Sequence, residues 1–236
     1  MRNLSNVITN WQKVSAMATV FYKRCITEYI DQLPGEEPIT TDEITAFIAQ
    51  KTGESFDKVK KDVNVNMARL EKEGFVSRVA RGLYCKRIKT AFGDYTPSKD
   101  VIYSKRLVSD GEDVVGYETG LSLMNDIGLV SQMPGKKSIA SNKYRMKVPT
   151  DVAIDIHKPA TTVTKENYKY LQLLDIIAEL DNAPVDAHNP EIIIREKAAS
   201  AGLKLEQLLL LARNYYNEHT LGRTVDIMLG GITLSS

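Results

Sequence analysis

Cysteine, histidine and long apolar runs are all scarce in this 236-residue chain, and each scarcity excludes something. The two cysteines, Cys25 and Cys85, form no CxxC pair, and a chain of this length needs no covalent staple, so two free thiols of a reducing compartment are expected. His157, His188 and His219 are the only histidines and fall in no HxH or HExxH spacing, so no metal is expected. No apolar run approaches the ~18 residues of a membrane span. Val14–Tyr22 comes nearest, but Ser15 and Thr19 interrupt it, and Lys23-Arg24 stand where a signal peptide would need small residues. A soluble, cytoplasmic chain with no membrane partner is therefore expected. The glycine-rich and nucleophile signatures GxGxxG, GxxxxGKS/T and GxSxG are also missing, so neither a cofactor nor a catalytic residue is expected.

What is present is an uneven distribution of charge. The chain as a whole carries 31 basic and 30 acidic residues, a net of +1 that says nothing about partners. Residues 50–90, however, hold 11 Lys and Arg against 5 Asp and Glu, while residues 91–236 hold 16 against 19. A basic block beside a slightly acidic remainder suggests a segment that faces nucleic acid, joined to a part with another role.

The periodicity of the first 90 residues gives that block a shape. Lys13–Gln32 reads as a helix, with Val14, Met17, Val20 or Phe21 and Ile26 or Tyr29 on one side, stopped at Leu33-Pro34-Gly35. Thr40 and Glu43 have the spacing of a capping box, and Ile44, Phe47 and Ile48 supply the stripe of a second helix that ends near Gly53. A third helix begins behind Ser55 and runs to Glu73, closed by Gly74, with Phe56, Val59, Val63, Met67 and Leu70 as its stripe. The period then changes to two: Phe75–Val79 and Leu83–Lys86, joined by Ala80-Arg81-Gly82, predict a β-hairpin.

Three helices and a hairpin in this order outline a winged helix-turn-helix, in which the third helix enters the major groove of double-stranded DNA. At 100° per residue, the side of that helix opposite the stripe carries Asp57, Lys58, Lys61, Asn64, Val65, Ala68, Arg69 and Lys72. Lys58 and Lys61 suit phosphate, Asn64 suits adenine, and Arg69 suits bidentate contact. Lys60 falls at the border of the core. Arg78 and Arg81 lie on the wing, where arginine reaches a narrow minor groove. An ordinary solvated helix face would also carry Lys and Arg, but it leaves the exposed Val65 without a purpose, whereas a thymine methyl would give it one. Outside the stripe the block's aromatics are Phe75 and Tyr84, too few for a single-strand stacking platform.

Beyond Arg87 the pattern changes, with Gly93, Asp94 and Pro97 marking a junction. Ser98–Val108 is predicted helical, and Gly116–Gly128 as a short helix. Ser138–Met146 and Val152–Ile156 read as strands, with Pro149 between them. Helices follow over Thr164–Asp181, with Thr164 as N-cap, then Pro190–Ala201, Lys204–Tyr216 and Thr220–Gly230. Leu205 and Leu208–Ala212 are apolar almost all round, which predicts a helix buried on most sides. The expected class is α+β, mainly α: an extension over residues 1–12, a DNA-binding domain over 13–90, and a C-terminal domain over 91–236, α/β up to residue 160 and helical from 161. Asp155-Ile156-His157-Lys158 has a nuclease-like composition at an unusual spacing. His188 sits in a turn-like setting, and Tyr168, Tyr170, Tyr215 and Tyr216 fall at helical spacings that suit packing.

Two segments carry a family resemblance. Arg78-Val79-Ala80-Arg81-Gly82-Leu83-Tyr84, followed by Phe92-Gly93 and Pro97-Ser98, resembles the end of the winged helix in AbiEi-type antitoxins of bacterial type IV (abortive-infection) toxin–antitoxin systems. Thr119-Gly120-Leu121-Ser122, then Asn125 and Gly128–Pro134, resembles the opening of that family's C-terminal domain. Cys85-Lys86 departs from the pattern, where an aromatic and a proline would be expected nearby. The resemblance implies a protein without catalysis of its own. Its winged helix represses its own operon through operator DNA, and its C-terminal domain neutralises a nucleotidyltransferase-like toxin without necessarily gripping it. The alternative from another class is a one-component regulator whose C-terminal half binds a small ligand in an apolar pocket among the tyrosine-rich helices.

Overall fold

The computed structural model describes residues 21–230 and gives a mixed α+β chain with nine helices and several small sheets among those residues. The chain divides into two compact units that meet between Ile102 and Tyr103. Residues 1–12 and the first part of the predicted helix Lys13–Gln32 lie outside the described residues.

In the first unit, helix α1 covers residues 21–32, burying Tyr22, Cys25, Ile26 and Ile30 while Phe21 stays exposed. A two-residue strand that periodicity does not signal, β1 (Ile39–Thr40), leads directly into α2 (Thr41–Thr52). The Thr40–Glu43 capping box is formed: the Thr40 hydroxyl accepts the Glu43 N–H, and the Glu43 carboxylate accepts the Thr40 N–H, each at 3.2 Å. Helix α3 (Phe56–Lys72) has Ser55 at its N-cap, although the Ser55 side chain makes no capping bond. At its other end the Phe75 N–H reaches the Leu70 carbonyl at 2.9 Å and the Gly74 N–H reaches Glu71 at 3.0 Å, the paired bonds of a Schellman stop. Strands β2 (Val76–Ala80) and β3 (Leu83–Lys86) form the hairpin, with a bulge between Arg78 and Ala80, and β1 pairs antiparallel with β3 to give the order β1-β3-β2. Ile26, Ile30, Ile39, Ile44, Ile48, Val59, Val63, Met67, Leu70 and Val76 close one core between the helices and this sheet. Where the sequence showed only a junction, a second hairpin follows, β4 (Ile88–Thr90) with β5 (Gly93–Tyr95).

Helix α4 (Lys99–Val108) carries the chain across the boundary. In the second unit a small hairpin of β6 (Ser109–Asp110) and β7 (Asp113–Val114) precedes a sheet of order β10-β9-β8. Strand β9 (Lys137–Ser141) runs antiparallel to β8 (Gly116–Thr119) and parallel to β10 (Ile154–His157). The predicted helix Gly116–Gly128 is therefore corrected: its first four residues are strand, and only α5 (Gly120–Asp126) is helical. Gly120 sits at φ +65°, a left-handed conformation through which no α-helix passes, so strand and helix must part there. The strands Ser138–Met146 and Val152–Ile156 are shorter and shifted, the first ending in a turn after Ser141.

Helices α6 (Tyr168–Glu179), α7 (Pro190–Ser200), α8 (Leu205–Tyr215) and α9 (Glu218–Leu229) pack around Leu123, Met124, Leu174, Ile177, Ile194, Leu208 and Ile227. Burying each such side chain contributes about 1.5–3 kcal/mol. Helix α6 begins at Tyr168, later than predicted, but Thr164 makes cap-like bonds in the turn that leads into it: its hydroxyl accepts the Glu166 N–H at 3.3 Å and its own N–H is accepted by the Asn167 side chain at 2.8 Å. Helix α9 starts two residues before the predicted Thr220, because the Asn217 side-chain oxygen accepts the Thr220 N–H at 2.8 Å. Helix α8 is covered on one side only. It packs on α6 and α9, and Leu210 is 51% exposed, which corrects the expectation of burial on most sides. Both cysteines are buried free thiols. No helix among the described residues is long and apolar enough to cross a membrane.

Candidate nucleic-acid interface

The inner side of α3 is the predicted stripe. Val59, Val63, Met67 and Leu70 are fully buried, and Asn66 joins them, its amide donating to the Asp62 carbonyl at 2.9 Å while its Oδ1 finds no partner. Phe56 departs from the stripe. At the first helical position its side chain leans past the end of the packed core, is 39% exposed, and lies with the Lys60 ammonium 5.3 Å from its ring centre. Lys60 also pairs with Asp42 at 3.0 Å, so this border lysine is bound to its own unit.

The outer side of α3 is open. Lys58, Lys61, Asn64, Val65, Ala68, Arg69 and Lys72 are all exposed, Val65 by 49%. Lys61, Asn64, Val65, Ala68, Arg69 and Lys72 stand at i, i+3, i+4, i+7, i+8 and i+11, a single ridge along the helix. Among the described residues, no side-chain hydrogen bond or ion pair engages Lys61, Asn64 or Arg69. Lys58 differs from them. Its ammonium lies 2.6 Å from Glu54, whose second oxygen accepts the hydroxyl of Tyr22 from α1. The Lys58 bond, and after it the Tyr22 bond, hold the Glu54 carboxyl below the usual carboxylate range.

The hairpin is tied to the start of α2 at its tip. At its tip the Gly82 carbonyl accepts the Thr41 N–H at 3.0 Å, and a Cβ on Gly82 would come within 3.1 Å of the Thr41 hydroxyl, so the tip is seated on the start of α2. The start of α2 is in turn held to the N-terminal half of α3 through Asp42 and Lys60. Arg81 is exposed at that tip and has no side-chain partner among the described residues. Arg78 is exposed as well and bonds the Ala80 carbonyl across the bulge at 3.4 Å. It lies across from Tyr84, whose hydroxyl burial pushes up and whose surroundings include the charges of both Arg78 and Glu71.

The other residues singled out from sequence are not assembled into a site. Asp155 is exposed and paired with Lys136 at 3.1 Å, and Lys158 stands against Tyr144. Among the described residues, no three His, Cys, Asp or Glu side chains gather as a metal would require. His188 is exposed in the loop before α7. Tyr170 accepts the Lys204 N–H at 3.2 Å, a packing role, and Tyr215 is exposed.

Sequence reasoning missed one polar centre, in the second unit. Asp175 of α6 accepts hydroxyls from Tyr117 at 2.9 Å, Thr119 at 3.2 Å and Tyr216 at 2.6 Å, stitching β8 to α6 and to the end of α8. Burial pushes the Asp175 carboxyl up, against the three hydroxyls that favour its charge. Glu179, one turn on, is pushed up by desolvation and then by the Asp175 charge. The available signal was a lone carboxylate in an otherwise apolar run, Leu173 to Ile177.

The chain matches no known protein-family model and no curated protein.

Proposed function

We propose that this chain is a DNA-binding autorepressor of the antitoxin type. Its first unit acts as a winged helix-turn-helix on double-stranded operator DNA. Lys58, Lys61 and Arg81 hold phosphates, Asn64 and Arg69 read base edges, and Arg78 and Arg81 ride on the wing. The observation that carries this reading is the unpartnered, exposed ridge of Lys61, Asn64 and Arg69 beside an arginine-tipped hairpin. The antitoxin role draws its support from the resemblance of Arg78–Tyr84 and Thr119–Pro134 to AbiEi-type antitoxins. In that role the second unit neutralises a nucleotidyltransferase-like toxin in the cytoplasm, with no metal, cofactor or catalytic residue of its own.

Gel-shift titration against the upstream region at two salt concentrations tests the DNA reading. Lys61→Ala should weaken binding to specific and random DNA alike and flatten the salt slope by about one unit. Asn64→Ala should cost about 1–3 kcal/mol on the operator and little on random sequence; equal loss on both removes its reading role. Co-expression with a nucleotidyltransferase-like reading frame from the same operon tests the antitoxin role, through rescue of growth by the full chain.

A further inference from the structure

We propose that the second unit carries a binding groove for an organic phosphate of nucleotide size, formed by the turn after β9 and the segment after β10. The groove holds about 430 Å³ and is lined by Asn142, Tyr144, Lys158, Pro159, Thr161 and Thr162. Its two walls are fixed to each other without a ligand. The Asn142 amide donates to the Val163 carbonyl at 2.9 Å, and its Oδ1 accepts the Val163 N–H at 2.9 Å.

Charge decides what fits. The Lys158 ammonium lies 6.0 Å from the centre of the Tyr144 ring, and the Arg145 guanidinium lies 5.4 Å from the same centre. Both are exposed, and neither has a carboxylate partner among the described residues. Of the neighbouring cations, Lys143 is taken up by Asp110 at 3.4 Å and by the carbonyls of Arg106 and Ser109, and Lys136 by Asp155 at 3.1 Å, while Lys147 is exposed. Two positive charges therefore remain uncompensated around one aromatic ring, beside two threonine hydroxyls. Guanidinium and ammonium groups with hydroxyl donors are the usual partners of a phosphate, and cations that turn from the Tyr144 ring to a phosphate leave the ring's flat face to a planar base. The space is of the size that small-molecule sites occupy. Free phosphate would use only the cations and a nucleoside only the ring; a nucleotide uses both. The proposal rests on residues of the second unit alone and does not depend on the DNA-binding reading.

Calorimetric titration of the full chain at low salt with AMP, adenosine and inorganic phosphate tests it. AMP should bind, adenosine and phosphate each about tenfold more weakly or worse, and added salt should weaken AMP. The double variant Arg145→Ala, Lys158→Ala should lower AMP affinity about tenfold or more with its melting temperature unchanged. Tyr144→Phe should keep binding, and Tyr144→Leu should lose most of it. Absence of AMP binding, equal binding of adenosine, or an unaffected double variant overturns the proposal. So does a single-stranded oligonucleotide that binds through Arg145 and Lys158 while AMP does not, an outcome that assigns these residues to a nucleic-acid backbone.

Discussion

Helices α3 and α6 use charge in opposite ways. Helix α3 keeps an apolar inner side, with Asn66 as its one buried polar group, and turns Lys61, Asn64 and Arg69 outward with nothing attached. Helix α6 is packed among other elements of its unit and takes a carboxylate inward, where Asp175 gathers three hydroxyls. A charge facing water costs nothing to keep and stays available to a partner, whereas a charge facing the core must be satisfied by the fold and is then unavailable. The outer side of α3 is thus left open to solvent, while Asp175 is a polar joint that holds its unit together.

The largest way to break the comparison is Asp175→Ala, which leaves the hydroxyls of Tyr117, Thr119 and Tyr216 without their shared acceptor. It should destabilise the second unit by about 2–3 kcal/mol in denaturant titration. Asn64→Ala should leave stability within ~0.5 kcal/mol, as expected of an exposed position away from packing. A sharper test uses pH. Because burial raises the Asp175 carboxyl in the folded state, its contribution is fully present below the unfolded value near ~4 and is lost as pH rises through the folded value. Asp175→Asn should flatten that decline above pH ~4; an unchanged profile would assign the dependence elsewhere. Tyr216→Phe removes one of the three donors and should cost about 1 kcal/mol. The smallest effect concerns Lys58. Glu54→Gln removes the carboxylate that holds it and should raise affinity for DNA about two- to fivefold at low salt, the range of a surface ion pair.

The first unit was far more legible from sequence than the second, for reasons visible in particular residues. Thr40, Glu43 and Gly74 act through bonds to neighbours three to five positions away, so their spacing alone announced the capping box and the helix stop. The stripe of α3 worked because one side of a solvated helix must be apolar, and it failed only at Phe56, where the helix begins and the core has ended. In the second unit the strand Gly116–Thr119 was read as helix, because Leu121, Leu123 and Met124 extended a helical period back across Gly120. The run Leu208–Ala212 suggested burial all round, yet covering surface was supplied on one side only. The hairpin Ile88–Tyr95 escaped because its strands are three residues each, too short to show alternation.

Local chemistry in the first unit was thus settled in the residue order: the start of α2 and the stop of α3, the apolar stripe, the basic block, and the ridge of Lys58, Lys61, Asn64 and Arg69 that follows from 3.6 residues per turn. Only the tertiary structure decided which charges are spoken for. Glu54 holds Lys58, Asp42 holds Lys60, and Tyr216, Thr119 and Tyr117 converge on Asp175 from positions 41 to 58 residues away. Pairing over such separations depends on how whole elements pack, and no periodicity along the chain encodes it.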